Sequence, residues 1–367
     1  MDKTTIKILI FALLIAFLGI LSIYSSTYQK EGALWDMIPK RQVLWVLLGV
    51  LCFIGVYNSN YRRLWDWTYL LYGILLCLLS LVFIIGIVRL GAQRWLKIAW
   101  VNFQPSEFVK LSIVIFLARY FSAKSADNIS LKIRNYGLIK AFLWPSLFVA
   151  IPAGLIMEQP DLGSATIIII IFIAMLFLAN VKFRYIVLFF SVVMLAMPFI
   201  WDYLRGYQKD RLLVFLNPNA DPLGAGYTII QSKIAIGSGG FLGKGWLAGT
   251  QNQLHFLPES HTDFIFAVFC EEWGFLGAFI LLLLYFLLIQ QGFLIAERTQ
   301  DNFGRLMAYG ISMMLGIQVF INIAMNLGLA PVVGLPLPLM SYGGSSVIVT
   351  FAYLGILANI NRKRTVF

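Results

Sequence analysis

Charge is what this sequence has least of. Only 12% of its 367 residues are Asp, Glu, Lys or Arg, whereas a soluble domain carries about 25% to face water. With 60% hydrophobic residues and a mean hydropathy of +0.83, most of the surface must face lipid instead. Cysteine is scarce as well. Cys52, Cys77 and Cys270 all fall inside apolar runs, which excludes a disulfide framework and a cysteine zinc site. The first apolar run lacks a small-residue cleavage site after it and reads as a retained anchor, not a signal peptide. There is no internal repeat at a fixed period and no low-complexity tract. The net charge of +11 could suggest nucleic acid. The basic residues, however, lie in short clusters between apolar runs, so anionic lipid head groups are the expected counter-charge and nucleic acid is not. Ten Trp and sixteen Tyr suit aromatic belts at the two interfaces.

A helix needs roughly 20 mostly apolar residues to cross the hydrocarbon core. Ten stretches qualify as expected spans: 6–24, 42–57, 67–88, 106–122, 138–157, 163–180, 184–201, 263–291, 304–326 and 343–361. The second is short, and the fourth carries Glu107 and Lys110 near its start. The expectation is an all-α integral membrane protein, a single polytopic domain over residues 1–367. Cytoplasmic loops collect Lys and Arg. Placing both termini inside puts sixteen basic residues on the inner side against seven in the short outer loops. The long 202–262 segment then faces outward. Its Asn-Pro and Asp-Pro turns, glycines and interleaved apolar residues predict an ordered, partly helical cap rather than a tether.

Three clusters on the outer side could carry chemistry. The first, "HFLPESHTDFIFAVFCEEWG" at 255–274, brings six ionisable residues to the start of an apolar run. Asp263 is expected at a helix N-terminus. There it could simply suit the macrodipole, worth about 0.3–1 kcal/mol, with Thr262 as the cap. Equally, it could be a carboxylate beside a polar cavity, able to take a proton from a hydroxyl. His261 reads as a structural hydrogen-bond partner. Glu271 and Glu272, two turns deeper, must face protein or water, or be protonated. The second cluster, "RLGAQRWLKIAWVNFQPSEFVK" at 89–110, has Gly91 for a turn. It sets Arg94 and Lys97 beside Trp95, with Pro105 opening a helix. Glu107 and Lys110, three apart, share a helix face and can neutralise each other; the plainer reading is a capped helix with snorkelling cations. The third, "PVVGLPLPLMSYGGSS" at 331–346, is uncharged and rich in proline and glycine. It reads either as a cavity lining or as a rigid re-entrant turn. "EQPDLGSA" at 158–165 is a similar outer turn, with Glu158 and Asp161 opening the sixth span.

Taken together, "GAQRW" with "FQPSEFVKL", "QPDLGSA", "DPLGAGYTIIQSKIAIGSGGFLGKGW", "GTQNQLHFLPESHTDFIFAVFCEEWG" and "PLPLMSYGGSS" resemble the SEDS family (shape, elongation, division and sporulation), and within it the RodA branch. The resemblance covers residues 91–346 in family order. It implies ten transmembrane helices and a glycosyltransferase that polymerises lipid II outside the bacterial cytoplasmic membrane, alongside a class B penicillin-binding protein that cross-links the strands. The family's essential aspartate falls on Asp263 of "HTDF". Its sensitive glutamate and lysine of "PSExxK" fall on Glu107 and Lys110, and its "RW" tryptophan on Trp95. The short N-terminal tail favours the elongation branch over the division (FtsW-type) branch.

That reaction joins the 4-hydroxyl of an acceptor GlcNAc to C1 of a donor MurNAc carrying undecaprenyl pyrophosphate, inverting C1. It needs a base on the hydroxyl and positive charge at the leaving group, but no protein nucleophile. Asp263 is the expected base. Arg94, Lys97, Lys110, Arg211, Lys233 and Lys244 are the candidate cations for the pyrophosphate. Trp95, Glu107, His261 and Ser341 complete the expected substrate-binding set. A divalent cation, Mg or Mn, bridging the phosphates is compatible with this chemistry, and no residues are assigned to it. Two competing readings are a lipid II flippase or transporter and a non-catalytic scaffold. A flippase would suit ionisable groups at the midplane, whereas these clusters gather at one face; a scaffold would not need Asp263.

Overall fold

The computed structural model describes residues 1–28, 32–89, 92–98, 101–123, 138–203, 206–218, 221–222, 224 and 226–363. Each of the ten apolar stretches lies on a helix: α1 (Lys3–Thr27), α2 (Ala33–Asn58), α3 (Arg63–Ile85), α4 (Pro105–Ser122), a π-helical turn (Ile139–Leu143) running into α5 (Trp144–Glu158), α6 (Leu162–Leu178), α7 (Phe183–Tyr203), α11 (Ile265–Arg298), α12 (Asn302–Asn326) and α13 (Gly344–Lys363). Among the described residues, seven helices are long and apolar enough to cross a membrane. The chain is therefore a multi-pass, all-α membrane protein. Long apolar runs can satisfy their backbone in lipid only as helices. α4, α12 and α13 form the centre, α13 packing on α2 and α12 packing on α4, α6 and α11. α3 instead leaves Trp67, Tyr69, Leu70 and Ile84 exposed, as a lipid-facing helix should.

Several boundaries differ from the sequence reading: α2 begins at Ala33 rather than 42, α11 runs on to Arg298 rather than 291, and two more bear on the site. The third helix stops at Ile85 because residues 87–103 form a small antiparallel sheet of β1 (Ile87–Arg89), β2 (Ala92–Ile98) and β3 (Val101–Phe103). Gln93 Nε2 donates to the Gly86 carbonyl at 2.9 Å and ties β2 to the end of α3. β-branched Ile87 and Val88 suit that pleat, but strands this short carry no usable periodicity. Gly91, expected to permit the turn, lies outside the described residues. The eighth span begins at Ile265 rather than Asp263. Its amide ladder shows why: Ala267 N and Val268 N both donate to the Phe264 carbonyl, leaving the Asp263 carbonyl to partners elsewhere.

The 202–262 segment is partly helical, with α8 (Gly206–Leu216), α9 (Tyr227–Ser238) and the single turn α10 (Thr250–Gln253), and α9 packs on α11 and α12. It also repairs a break in α11. Gly274 has φ 64° and ψ −163°, a conformation essentially restricted to glycine. The helix bonds lost there are replaced: Phe275 N and Leu276 N donate to Gly240 O and Phe241 O, while Lys244 N and Gly245 N donate to Glu271 O and Glu272 O. An added Cβ on Gly274 would lie 2.2 Å from Gly243 N. This junction accounts for the two deep glutamates. Glu271 Oε1 accepts from Lys244 Nζ at 2.7 Å and from Thr250 Oγ1 and Gln251 N at 3.0 Å. Glu272 accepts from Ser25 of α1. Both side chains are buried. They face protein, as the cost of a lipid-exposed carboxylate requires.

Candidate active site around Asp263

Asp263 sits in the turn just before α11, half-buried, and it does not cap the helix. Among the described residues nothing donates a hydrogen bond to its carboxylate; the polar partners it has are on its main chain. Asn322 Nδ2 and Asn326 Nδ2 of α12 each donate to the Asp263 carbonyl at 3.1 Å. The preceding residues are stapled to the 331–342 loop: Ser341 Oγ donates to Thr262 O at 2.6 Å and Tyr342 N to His261 O at 2.9 Å. A rigid backbone thus presents a carboxylate that is itself uncommitted.

Charges from four elements act on that carboxylate. Burial pushes the Asp263 carboxyl up to about 6, and the neighbouring Glu259 adds to the rise; Arg94 of β2 and Arg211 of α8 pull it down, and Asp161 pushes it up. Dehydration thus outweighs the neighbouring cations, and a carboxyl at about 6 is still mostly ionised at neutral pH. Arg94 is fixed by the 159–161 turn. Its Nε donates to Gln159 O at 3.3 Å, its Nη2 to Pro160 O, and its Nη1 lies 4.0 Å from Asp161 Oδ1. Asp161 in turn caps α6 through Ser164 N at 3.2 Å and accepts from Ser106 Oγ at 3.2 Å. Glu259, with φ 49°, holds Thr262 Oγ1 at 3.2 Å.

The sequence-derived residues fall into three groups. Asp263, Arg94 and Arg211 come together electrostatically. Glu107 and Lys110 pair at 2.8 Å with 3% and 0% of their side chains exposed. Lys110 Nζ also reaches Gln318 Oε1 at 3.3 Å, and Gln318 Nε2 donates to Pro336 O at 3.1 Å. This pair braces the 331–342 loop from beneath. The remaining calls lie apart or serve as supports. Lys244 is committed to Glu271 and Thr250, Lys233 packs against Gly328, and Lys97 is an exposed residue of β2. Trp95 pairs with Ile87 across the sheet. His261 stacks edge-on against Trp35 at 5.7 Å. Ser341 is a backbone staple, since it also accepts from Leu337 N at 2.7 Å. Sequence reasoning placed Asp161 only as an opening residue of the sixth span, counted Glu259 only among the ionisable residues of 255–274, and overlooked the amides of α12. Gln318, Asn322 and Asn326 recur every four residues on an otherwise apolar helix, and such a polar stripe is the signal that could have found them.

Among the described residues no three His, Cys, Asp or Glu side chains cluster so as to hold a metal ion. The divalent cation considered from the sequence is thus given no protein cage, and no step below is routed through it. A cavity of about 920 Å³ lies at the opposite ends of the helices, lined by Arg62, Trp65, Asp301 and Arg305, away from Asp263.

With this geometry in place, comparison with known proteins is direct. The family model of the FtsW, RodA and SpoVE cell cycle proteins matches residues 5–366. The chain belongs to this family. It is similar to the peptidoglycan glycosyltransferase MrdB of Escherichia coli K12, with 43% identity over 365 residues, covering 99% of this chain and 94% of the relative. It is also similar to the stage V sporulation protein E of Bacillus subtilis, with 37% identity over 362 residues, covering 97% and 96%. Among solved structures, a chain from a peptidoglycan synthase complex in which polymerization and crosslinking are coordinated superposes with a TM-score of 0.80 at 34% identity, covering 98% of each chain. The rod shape determining protein RodA of Thermus thermophilus superposes with a TM-score of 0.70 at 28% identity, covering 98% and 96%. Within the SEDS family these likenesses put the chain on the RodA side.

Proposed function

We infer that this chain is a peptidoglycan glycosyltransferase of the bacterial cytoplasmic membrane that polymerises lipid II into β-1,4 glycan strands during cell elongation. The observation that carries the mechanism is an uncommitted carboxylate, Asp263, on a pinned backbone and within the field of Arg94 and Arg211. Asp263 takes the proton of the acceptor 4-hydroxyl as the O4–C1 bond forms on the face opposite the leaving group. The C1–O bond breaks, and its electron pair leaves with undecaprenyl pyrophosphate. Arg94 and Arg211 offset the charge that develops on that pyrophosphate. The sixteen-to-seven bias in Lys and Arg supports cytoplasmic termini, ten crossings and an outer site covered by the 202–262 segment. A class B penicillin-binding protein is the proposed partner, and the likeness to a chain from a synthase complex supports this. A divalent cation carried on the pyrophosphate itself stays within the proposal. The charges on Asp263 gather at one end of the bundle, which favours catalysis there over carriage of lipid II through the midplane. The test is conversion of lipid II to glycan strands by the purified protein with moenomycin present, which rules out contaminating polymerases of the unrelated class. Absence of polymer from folded protein together with its partner would refute the reading.

A further inference from the structure

The Asp263 carbonyl oxygen has two lone pairs, and both are taken by carboxamides of a neighbouring helix. Asn322 Nδ2 spends one hydrogen there and the other on Leu335 O at 2.6 Å. Asn326 Nδ2 has two hydrogens for three acceptors: besides Asp263 O it lies 2.8 Å from Asn322 O and 3.3 Å from Asn322 Oδ1, so one hydrogen is shared. Both asparagine side chains are fully buried, so truncating either leaves polar groups without water and is costly. Asn326 O in turn accepts from Ser232 Oγ of α9 at 2.8 Å. The consequence is visible in the chain itself. In a helix beginning at Asp263 the Ala267 amide would bond to its carbonyl; here that amide bonds to Phe264 O, and α11 starts two residues late. Asp263 is thereby held outside the helix, and its side chain is freed from the capping geometry that the sequence alone suggests.

We infer that Asn322 and Asn326 are positioning residues for the reaction: they hang Asp263 from α12, and Ser232 brings α9 of the 202–262 segment into the same network. Gln318, one turn before Asn322, ties the same helix face to Pro336 O and to Lys110. The Glu107–Lys110 pair and the 331–342 loop therefore bear on the placement of Asp263 through α12. The inference rests on the reading of Asp263 as the base.

The test uses the full-length protein in detergent with lipid II as substrate. Asn322→Ala and Asn326→Ala are expected to lower kcat by about 10–100-fold, the range for a lost buried hydrogen bond or an ångström of misplacement. KM for lipid II should stay within about twofold, because the bonds reach the base rather than the lipid. The ascending limb of the pH–rate profile should move by about half a unit or more, since the carboxylate changes its distance from Arg94 and Arg211. Ser232→Ala should act in the same sense, more weakly. Ser312→Ala removes another buried side-chain bond of α12, to Ala308 O at 2.7 Å, and should leave kcat and the limb at their wild-type values. A kcat loss no larger than that of Ser312→Ala, or an unmoved limb, would overturn the inference. If the asparagine variants do not fold, Ser232→Ala decides it: a wild-type kcat and limb there would overturn it. Asp263→Asn separates the two levels. A normal rate in that variant refutes the base itself, whereas an inactive Asp263→Asn with control-like asparagine variants refutes only the positioning.

Discussion

Removing Lys110 should harm this protein more than removing Lys110 and Glu107 together. The two charges lie 2.8 Å apart with side chains 0% and 3% exposed. Their attraction is about 6 kcal/mol at an effective dielectric of about 20. Dehydrating the two ions costs several kilocalories each, so the intact pair roughly breaks even. Lys110→Met abolishes the attraction but leaves the Glu107 carboxylate in a site without water, at a cost of about 3–5 kcal/mol. That is at least about a hundredfold in the folded-to-unfolded ratio. In Glu107→Gln/Lys110→Met no charge remains to be solvated, and most of the loss should be recovered. Glu107→Gln alone is expected to be the milder single change, because the new carboxamide oxygen and Gln318 Oε1 can both accept from Lys110 Nζ. The assay is heat unfolding of the purified variants in one detergent at one scan rate, since unfolding of such proteins is often irreversible. Equal loss in Lys110→Met and the double variant would refute the coupling. A double variant that folds normally but makes no polymer would show that the pair serves the reaction beyond stability, as its link through Gln318 to α12 and so to Asp263 implies.

Three further outcomes follow from the geometry. Asp263 must be ionised to act as base, and its carboxyl is raised to about 6 by burial and by Glu259. kcat/KM for lipid II should therefore climb with pH through about 6 and level off above 7; Glu259→Gln should move the limb to lower pH and Arg211→Gln to higher pH, and a limb that ignores both would contradict the assignment. Gly274→Ala should loosen the 239–253 region, because a Cβ there meets Gly243 N at 2.2 Å on top of roughly 1–3 kcal/mol of backbone strain; protease cleavage of 202–262 in oriented membranes should rise, and an unchanged pattern would refute the junction. EDTA should slow polymerisation if a divalent cation travels with the pyrophosphate, and restoration by Mg or Mn is the expected sign; a rate unaffected by EDTA would leave that charge to Arg94 and Arg211.

The helices were legible because a chain with 12% charge has few other ways to satisfy its backbone in lipid. What escaped depends on partners distant in sequence. The start of α11 is set by Asn322 and Asn326, about sixty residues downstream of Asp263, which no local capping rule can see. The small sheet has strands of three, seven and three residues, too short for alternation to declare itself. Lys244 looked like a free outer cation, yet it is claimed by Glu271 across the break at Gly274. Asp263 itself was legible from its motif. Its surroundings were not: Asp161 read as an opening residue of the sixth span, and the i, i+4, i+8 amides of α12 passed unremarked within an apolar run.

The most direct measurement is the rate at which purified Asp263→Asn converts lipid II to glycan strands, read beside its unfolding midpoint. Asparagine keeps the size and leaves the main-chain carbonyl free to accept from Asn322 and Asn326, so the fold should persist. It cannot take up a proton as a carboxylate does, and the rate should fall by about 10²–10⁴. Asp263→Glu, one methylene longer, should be badly impaired as well. Polymerisation by folded Asp263→Asn at near the wild-type rate would mean that Asp263 is not the base.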